Sequence, residues 1–353
     1  MWKTAIEHQS WLCTGEKKEI SFRLPAEHSV DVVGMNLYEA LDMKAEELCK
    51  ALGLELAGDG AREIQRVDFA DDADEHALAV VRSERETLAT HAQVVLSEPR
   101  VVLTDKTILY CSYGELSAMW VQAVRVLMEA GLYADYDRPP MQMMQPGGWM
   151  CGEGTVIGRG TEIAPFVSIG DDVRIGTDCR IASGVVIGSG TVLGDHVTLH
   201  AGVKVGVPAL WHYVEDGRPK LFSGVGRCIL GNDVQVGCNT VIQRGTLSDT
   251  VIGDGTVIGN LVELAHDVEI GEGALILSQT GICGRAELGR GVCIMGQVGV
   301  DERVRIADHA TILARSMVTK HVKARQIVSG IFSREHRKEM RFQARMRRMT
   351  KER

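Results

Sequence analysis

From residue 155 to residue 322 an aliphatic side chain returns at every sixth position. The series runs through Ile157, Ile163, Ile169, Ile175, Ile181, Ile187, Leu193, Leu199 and Val205 without a miss. It is interrupted, resumes at Leu230, Val236 and Ile242, slips by four residues, and then continues from Ile252 to Val318. Neither an α-helix nor a flat sheet calls for a period of six. A β-helix does, because short strands and tight turns coil around an aliphatic stack, with three hexads to a triangular coil. The residue after an anchor is often Gly, which suggests a corner with positive φ. The expected architecture is mainly β.

The flanking pattern is different. Residues 1–36 contain Trp2, Trp11 and the run Ile20-Ser21-Phe22-Arg23-Leu24, which reads as an edge strand or a small hairpin of unclear role. From 37 to 52, Leu37, Ala40, Leu41, Leu48 and Leu52 share one helical face, and Gly53 ends it. Strand-like runs follow at 54–57, 63–69, 77–81, 93–96, 101–103 and 108–111, with helical segments at 84–90 and 115–130. This predicts a small α/β domain over 37–135. A linker over 136–150, marked by Pro-Pro and Gly-Gly, leads into a β-helix over 151–325. The aromatic-bearing interruption at 207–227 is expected to be a loop on a binding face. The slip near Leu247 reads as no more than a bulged corner.

Residues 326–353 are expected to form a basic terminal helix. Arg334, Arg337, Lys338, Arg341, Arg345 and Arg348 fall on one stripe, with Phe342, Met346 and Met349 beside it. Residues 333–353 hold nine Lys and Arg against three Glu, on a chain whose formal net charge is −8. That net charge argues against nucleic acid as the general partner. The nine cysteines show no C-x-x-C pair, which fits reduced thiols in a cytoplasm. Met1 to Leu12 mixes charged and apolar residues, so no export signal is expected, and no apolar run reaches the length of a membrane span.

Two residues after its anchor, His266 should project from a coil edge, where an imidazole can take a proton near neutral pH. His200 stands where Gly is usual and is a second polar lining group. His196, four residues earlier, hints at a metal pair, but no third histidine stands in register and no metal is expected.

The period and several motifs together resemble the UDP-3-O-(3-hydroxyacyl)glucosamine N-acyltransferase family of lipid A biosynthesis. The motifs are His200-Ala201-Gly202-Val203, Gln243-Arg244-Gly245-Thr246, Asp249-Thr250-Val251-Ile252-Gly253 and Asn260-Leu261-Val262-Glu263-Leu264-Ala265-His266. Gly296-Gln297-Val298-Gly299, Ser316-Met317-Val318-Thr319-Lys320 and the Arg-rich terminus also match, as does Leu88-Ala89-Thr90 in a domain similar to the family's uridine-binding domain. The resemblance implies a left-handed parallel β-helix and a cytoplasmic homotrimer, in which clefts between subunits enclose the site. It makes His266 the general base on a glucosamine 2-amine and the Gly284 N–H the oxyanion donor one coil on. His200, Asn260, Gln297, Arg303 and Met317 become substrate-binding, with Met317 closing an acyl groove. The donor would be an acyl carrier protein bearing 4′-phosphopantetheine, docked on the stripe from Arg334 to Arg348, and no separate cofactor is implied.

The chain departs from the family at four places. Gly259 stands for an Asp, Arg303 for a histidine, and Asp267 for the Asn after the base. Asp267 gives the Ala-His-Asp of the sister O-acyltransferase. Val81-Arg82-Ser83-Glu84 stands where an aromatic should stack on uracil. Two other readings therefore stay open: a paralogue acylating another amino-sugar nucleotide from acetyl-CoA, or a non-catalytic scaffold.

Overall fold

In the computed structural model, which describes residues 42–83, 86, 89–99, 105–112, 114–134, 142–331 and 333–351, the six-residue period becomes a parallel prism. Its first face carries the strands from Val156–Ile157 to Arg305–Ile306. The second runs from Glu162–Ile163 through Thr311–Ile312 to Ile327–Ser329, and the third from Met150–Cys151 to Met317–Val318. Equivalent residues stand 18 apart, with Ile157 on Ile175 and Ile175 on Leu193. The anchors fill the interior as one continuous buried stack. Each fully buried aliphatic side chain contributes roughly 1.5–3 kcal/mol, so the stack is the main source of stability.

The corners are held by a second device. Side-chain oxygens of Asp195, Asn232, Asp254, Asn260 and Asp308 each accept a backbone N–H from the coil before, at 2.6–3.0 Å. Without them these turn amides would be left unpaired.

Positive φ falls on the third residue after the anchor, as at Asp267, Arg285 and Arg303, and, apart from Gly206 at the start of the interruption, not on the glycine next to the anchor. That glycine answers to close approach instead. A Cβ on Gly176 would lie 2.4 Å from the Gly194 carbonyl oxygen in the next coil.

In the α/β domain a five-stranded sheet runs in the order Glu55–Ala57, Thr107–Tyr110, Val94–Ser97, Ala77–Val80, Arg66–Phe69. Only the first pair is antiparallel. Helices α1 (Ala45–Leu52) and α2 (Leu116–Glu129) bury Leu48, Trp120, Val124 and Leu127 against it. The helix expected from residue 37 thus begins at Ala45, after a two-residue strand at Met43–Lys44. The expectations for 1–41, 101–103 and most of 84–90 lie outside the described residues.

The interruption is a hairpin, Trp211–Glu215 against Arg218–Phe222. Its Tyr213 and Phe222 enter the core of the α/β domain, and Trp211 sits 4.6 Å from Trp120, centroid to centroid. The insertion is a strut between domain and prism as well as part of a cavity wall. The far end of the linker is also ordered, since Met143–Met144 pairs with Met150–Cys151 and opens the third face.

At the other end the prism extends past residue 325. Ile327–Ser329 continues the second face, and Arg334–Glu335 pairs back on it, so helix α3 (His336–Lys351) starts later than the sequence suggests. Arg334 is therefore a strand residue, and its guanidinium lies over the Phe342 ring at 4.5 Å.

The two classes of glycine give different costs. Gly255 has φ of +65° and open space at its Cβ position, so Gly255→Ala should cost only about 1 kcal/mol of backbone strain. Gly176→Ala drives a methyl into backbone and should cost roughly 1–3 kcal/mol or more. Thermal melts of the two variants should show the larger drop for Gly176→Ala. Equal drops would contradict this account of the corners.

Candidate active site

The four-residue slip and the hexad that follows it build the centre of the site. Spacing rises from 18 to 22 at this coil, and residues 244–248 bulge across the edge between the third and first faces. The extra backbone turns its amides on Asp267. Oδ1 of that carboxylate accepts N–H bonds from Thr246 at 2.8 Å, Leu247 at 3.3 Å and Ser248 at 3.2 Å. Oδ2 accepts the Thr246 hydroxyl and lies 2.7 Å from His266 Nδ1. The Asp267 side chain is only 2% exposed. Consecutive amides aimed at one carboxylate form an anion nest.

With the carboxylate as its acceptor, Nδ1 carries the imidazole proton and Nε2 keeps the basic lone pair. Nε2 has no hydrogen-bond partner among the described residues. His266 does stand at the coil edge, yet its side chain is only 12% exposed, because the α/β domain roofs it. Directly beside it, a Cβ on Gly284 would come 2.5 Å from the ring carbon Cε1. Only glycine fits there. The Gly284 N–H pairs with no backbone acceptor among the described residues.

Above His266 is a cavity of about 190 Å³. Its roof is Phe69, Asp71, Val80 and Arg82, at the carboxyl ends of two parallel strands, where open α/β sheets generally take ligands. Trp120, Trp211 and Leu247 close one side, and Arg285 and Arg303 line the floor. The aromatic rings of this cavity come from Phe69, Trp120 and Trp211, not from Val81–Ser83. Phe69 has one face covered by the Arg285 guanidinium at 3.8 Å, and Trp120 is packed among Trp211 and Phe222. Cys283, next to Gly284, has its thiol pushed up by burial and then by Asp301, Glu302 and Glu263, so it is a poor nucleophile.

Of the residues singled out from sequence, the structure brings together His266, Gly284 and Arg303. His200, Asn260 and Gln297 stand on the opposite edge, between the second and third faces, and do not line this cavity. Asn260 Oδ1 is bonded to the Cys238 N–H, and Gln297 lies in a column with Gln279 and Arg315 at 2.7 Å contacts. Met317 lies between the two edges on the third face, 44% exposed. Gly281 and Gly299 share its column and leave a trough, with open space at both Cβ positions. His196 sits 3.9 Å from Asp178 and 3.7 Å from Asp233, on a different edge from His200, so the two histidines do not converge. Arg337, Lys338, Arg341, Arg345 and Arg348 are exposed on α3, as are Phe342, Met346 and Met349.

Sequence reasoning missed the structural part played by Asp267 and the grouping of Phe69, Asp71, Asp72 and Arg285. The slip was the available signal, since an insertion of four residues beside the candidate base supplies the nest. Nothing in the spacing pairs residues 69–72 with 285.

The geometry is a coil of six-residue repeats, and the prism is a left-handed parallel β-helix. Residues 154–189 and 249–284 match the family described as bacterial transferase hexapeptide (six repeats). Among curated relatives, a UDP-3-O-acylglucosamine N-acyltransferase from Leptothrix cholodnii is 49% identical over 133 residues, 38% of this chain and 39% of that protein. One of the same name from Verminephrobacter eiseniae is 45% identical over 69 residues, 20% of this chain and 21% of that protein. The matches thus span well under half the length of these relatives. A crystal structure of UDP-N-acetylglucosamine O-acyltransferase from Moraxella catarrhalis superposes with a TM-score of 0.50 at 25% identity, covering 56% of this chain and 77% of that one.

Asp267 and His266 should differ sharply in their contribution to stability. Asp267→Ala leaves several buried N–H donors without an acceptor, at about 1–3 kcal/mol for each that water cannot reach. His266→Ala removes a side chain at a cavity wall. The melting temperature should fall much further for Asp267→Ala, and a reversed order would contradict the nest.

Proposed function

We propose that the protein is an acyl-carrier-protein-dependent N-acyltransferase, moving a 3-hydroxyacyl chain to the 2-amino group of a UDP-glucosamine-type acceptor in lipid A biosynthesis. The observation that carries this reading is the His266 Nε2 facing a roofed cavity, with Asp267 behind it and the Gly284 N–H beside it. The acceptor amine attacks the thioester carbonyl while His266 Nε2 takes its proton. The tetrahedral oxyanion accepts a hydrogen bond from the Gly284 N–H. As the C–S bond breaks, the proton on His266 passes to the departing pantetheine sulfur, leaving an amide and a free thiol. Asp267 holds the ring and balances the transient imidazolium.

The names of the curated relatives support the reaction class. The trough over Gly281 and Gly299, ending at Met317, supports an extended acyl chain. Homotrimer formation is part of the proposal. Val257, Leu261, Leu275 and Leu277 are exposed along the second face and its edge with the third, on the side of Asn260 and Gln297. A neighbouring copy packed there would bring His200, Asn260 and Gln297 toward the His266 edge. No described helix is long and apolar enough to cross a membrane. A cytoplasmic location follows from the proposed soluble carrier protein.

A second reading is O-acyl transfer to a sugar hydroxyl. It is favoured by Asp267 directly after the base and by the name of the Moraxella catarrhalis neighbour.

His266→Ala should leave assembly intact and lower acyl transfer by about 10²–10⁴, the usual span for a lost general base. Turnover within a few-fold of wild type would remove the mechanism.

The exposed stripe on α3 is the proposed dock for an acidic carrier protein, with complementarity acting mainly on the association rate. Reversing Arg341 and Arg345 to Glu should raise KM for the carrier about ten-fold and leave turnover with acyl-pantetheine nearly unchanged. Equal loss with both donors would make α3 structural.

A further inference from the structure

Arg285 follows Gly284 and reaches up into the roof of the site. Its side chain is only 10% exposed. Nη2 is paired with Asp72 at 2.8 Å and more loosely with Asp71 at 3.3 Å, and the guanidinium plane lies on Phe69. Nη1 is buried and has no hydrogen-bond partner among the described residues. A buried guanidinium N–H left unmade costs about as much as the interaction it forgoes, so its persistence points to an acceptor supplied from outside. Arg285 lines the cavity that also holds His266 and Arg303. Most of the acids around it are already engaged: Glu287 is held by Arg305 at 2.9 Å, and only Glu269, on the far side of Arg285, has no hydrogen-bond or ion-pair partner among the described residues. Asp71 and Asp72 hold Arg285, Glu86 accepts the Arg82 N–H at 2.6 Å, and Glu302 lies 3.6 Å from Arg303.

We propose that Arg285 is a substrate-binding residue whose Nη1 takes a phosphate oxygen of the sugar nucleotide's diphosphate, beside the point of acyl transfer. This rests on the proposed reaction and says which part of its substrate this corner holds. In a nucleotide sugar the diphosphate is attached at C1, one carbon from the C2 nitrogen that attacks. A base on that nitrogen and an anion site for that phosphate must therefore be close neighbours. His266 and Arg285 are such neighbours, on adjacent coils at one edge, with Gly284 between them. The planar fork suits the task, because Nη2 holds the aspartates and the plane lies on Phe69, while Nη1 remains for a charge-assisted bond. The grip on the nucleotide then lies in its phosphates, since this face of Phe69 is taken by Arg285 and not left for a base.

The rival role is a strut joining roof to prism, and the rival phosphate is that of the carrier's pantetheine arm. Calorimetry with UDP-N-acetylglucosamine and with 4′-phosphopantetheine separates them. Arg285→Gln should weaken UDP-N-acetylglucosamine binding about ten-fold or more and leave phosphopantetheine unaffected, while Arg285→Lys, keeping the charge without the fork, should fall between. The double variant Asp71→Asn, Asp72→Asn breaks the strut and keeps the guanidinium, so its affinity for UDP-N-acetylglucosamine should hold or rise. Unchanged affinity in a folded Arg285→Gln would overturn the proposal, as would loss of phosphopantetheine binding instead, or equal weakening by the aspartate variant. The readout is equilibrium binding. A protein that binds the nucleotide through Arg285 and transfers no acyl group would sink the reaction and leave this inference standing.

Discussion

A carboxylate held by consecutive backbone amides sets the geometry of the whole site. Asp267 receives N–H groups from the slip at residues 246–248 and in turn fixes the His266 ring by Nδ1. In a regular coil the strand amides pair with neighbouring coils and a corner side chain takes a single turn amide, as Asp195 takes that of Thr177, so no run of amides is left for one carboxylate. The four extra residues release three amides from the ladder, and the carboxylate satisfies them again. Loss of the repeat's regularity and gain of an oriented imidazole are one structural event.

The second departure from the period serves the same corner. The hairpin over Trp211–Phe222 buries Tyr213 and Phe222 in the α/β domain and brings Trp211 against Trp120. It fixes the roof over His266 and shields the imidazole from bulk water, which strengthens its hydrogen bond to Asp267. Arg285 closes the contact from the prism side, against Asp71 and Asp72 of the roof.

Most of the prism was legible in the sequence because each anchor obeys a local rule, an aliphatic residue at a fixed interval, and the stack repeats that rule without long-range choices. His266 and Gly284 were legible together because one coil stacks residues 18 apart. The cause of the glycine that often follows an anchor is not legible in the sequence. Close approach between coils and positive φ both select Gly, and sequence alone does not separate them, whereas Asp267, Arg285 and Arg303 carry the positive φ themselves. The pairing of Phe69 with Arg285 across more than 200 residues follows from how a domain sits on the prism, which no local period encodes. The end of the prism was misplaced for a simpler reason. Arg334 fits the helical stripe by spacing, but backbone pairing with Ser329 draws it into a strand.

The claim that this corner transfers an acyl chain to an amine is tested most directly by the product. Wild-type protein incubated with a 3-hydroxyacyl carrier protein and UDP-3-O-acylglucosamine should yield, by mass spectrometry, an acceptor heavier by one acyl group, with the new bond resistant to hydroxylamine as an amide is. A hydroxylamine-labile ester would assign the corner to hydroxyl acceptors, and an acceptor of unchanged mass would contradict the account.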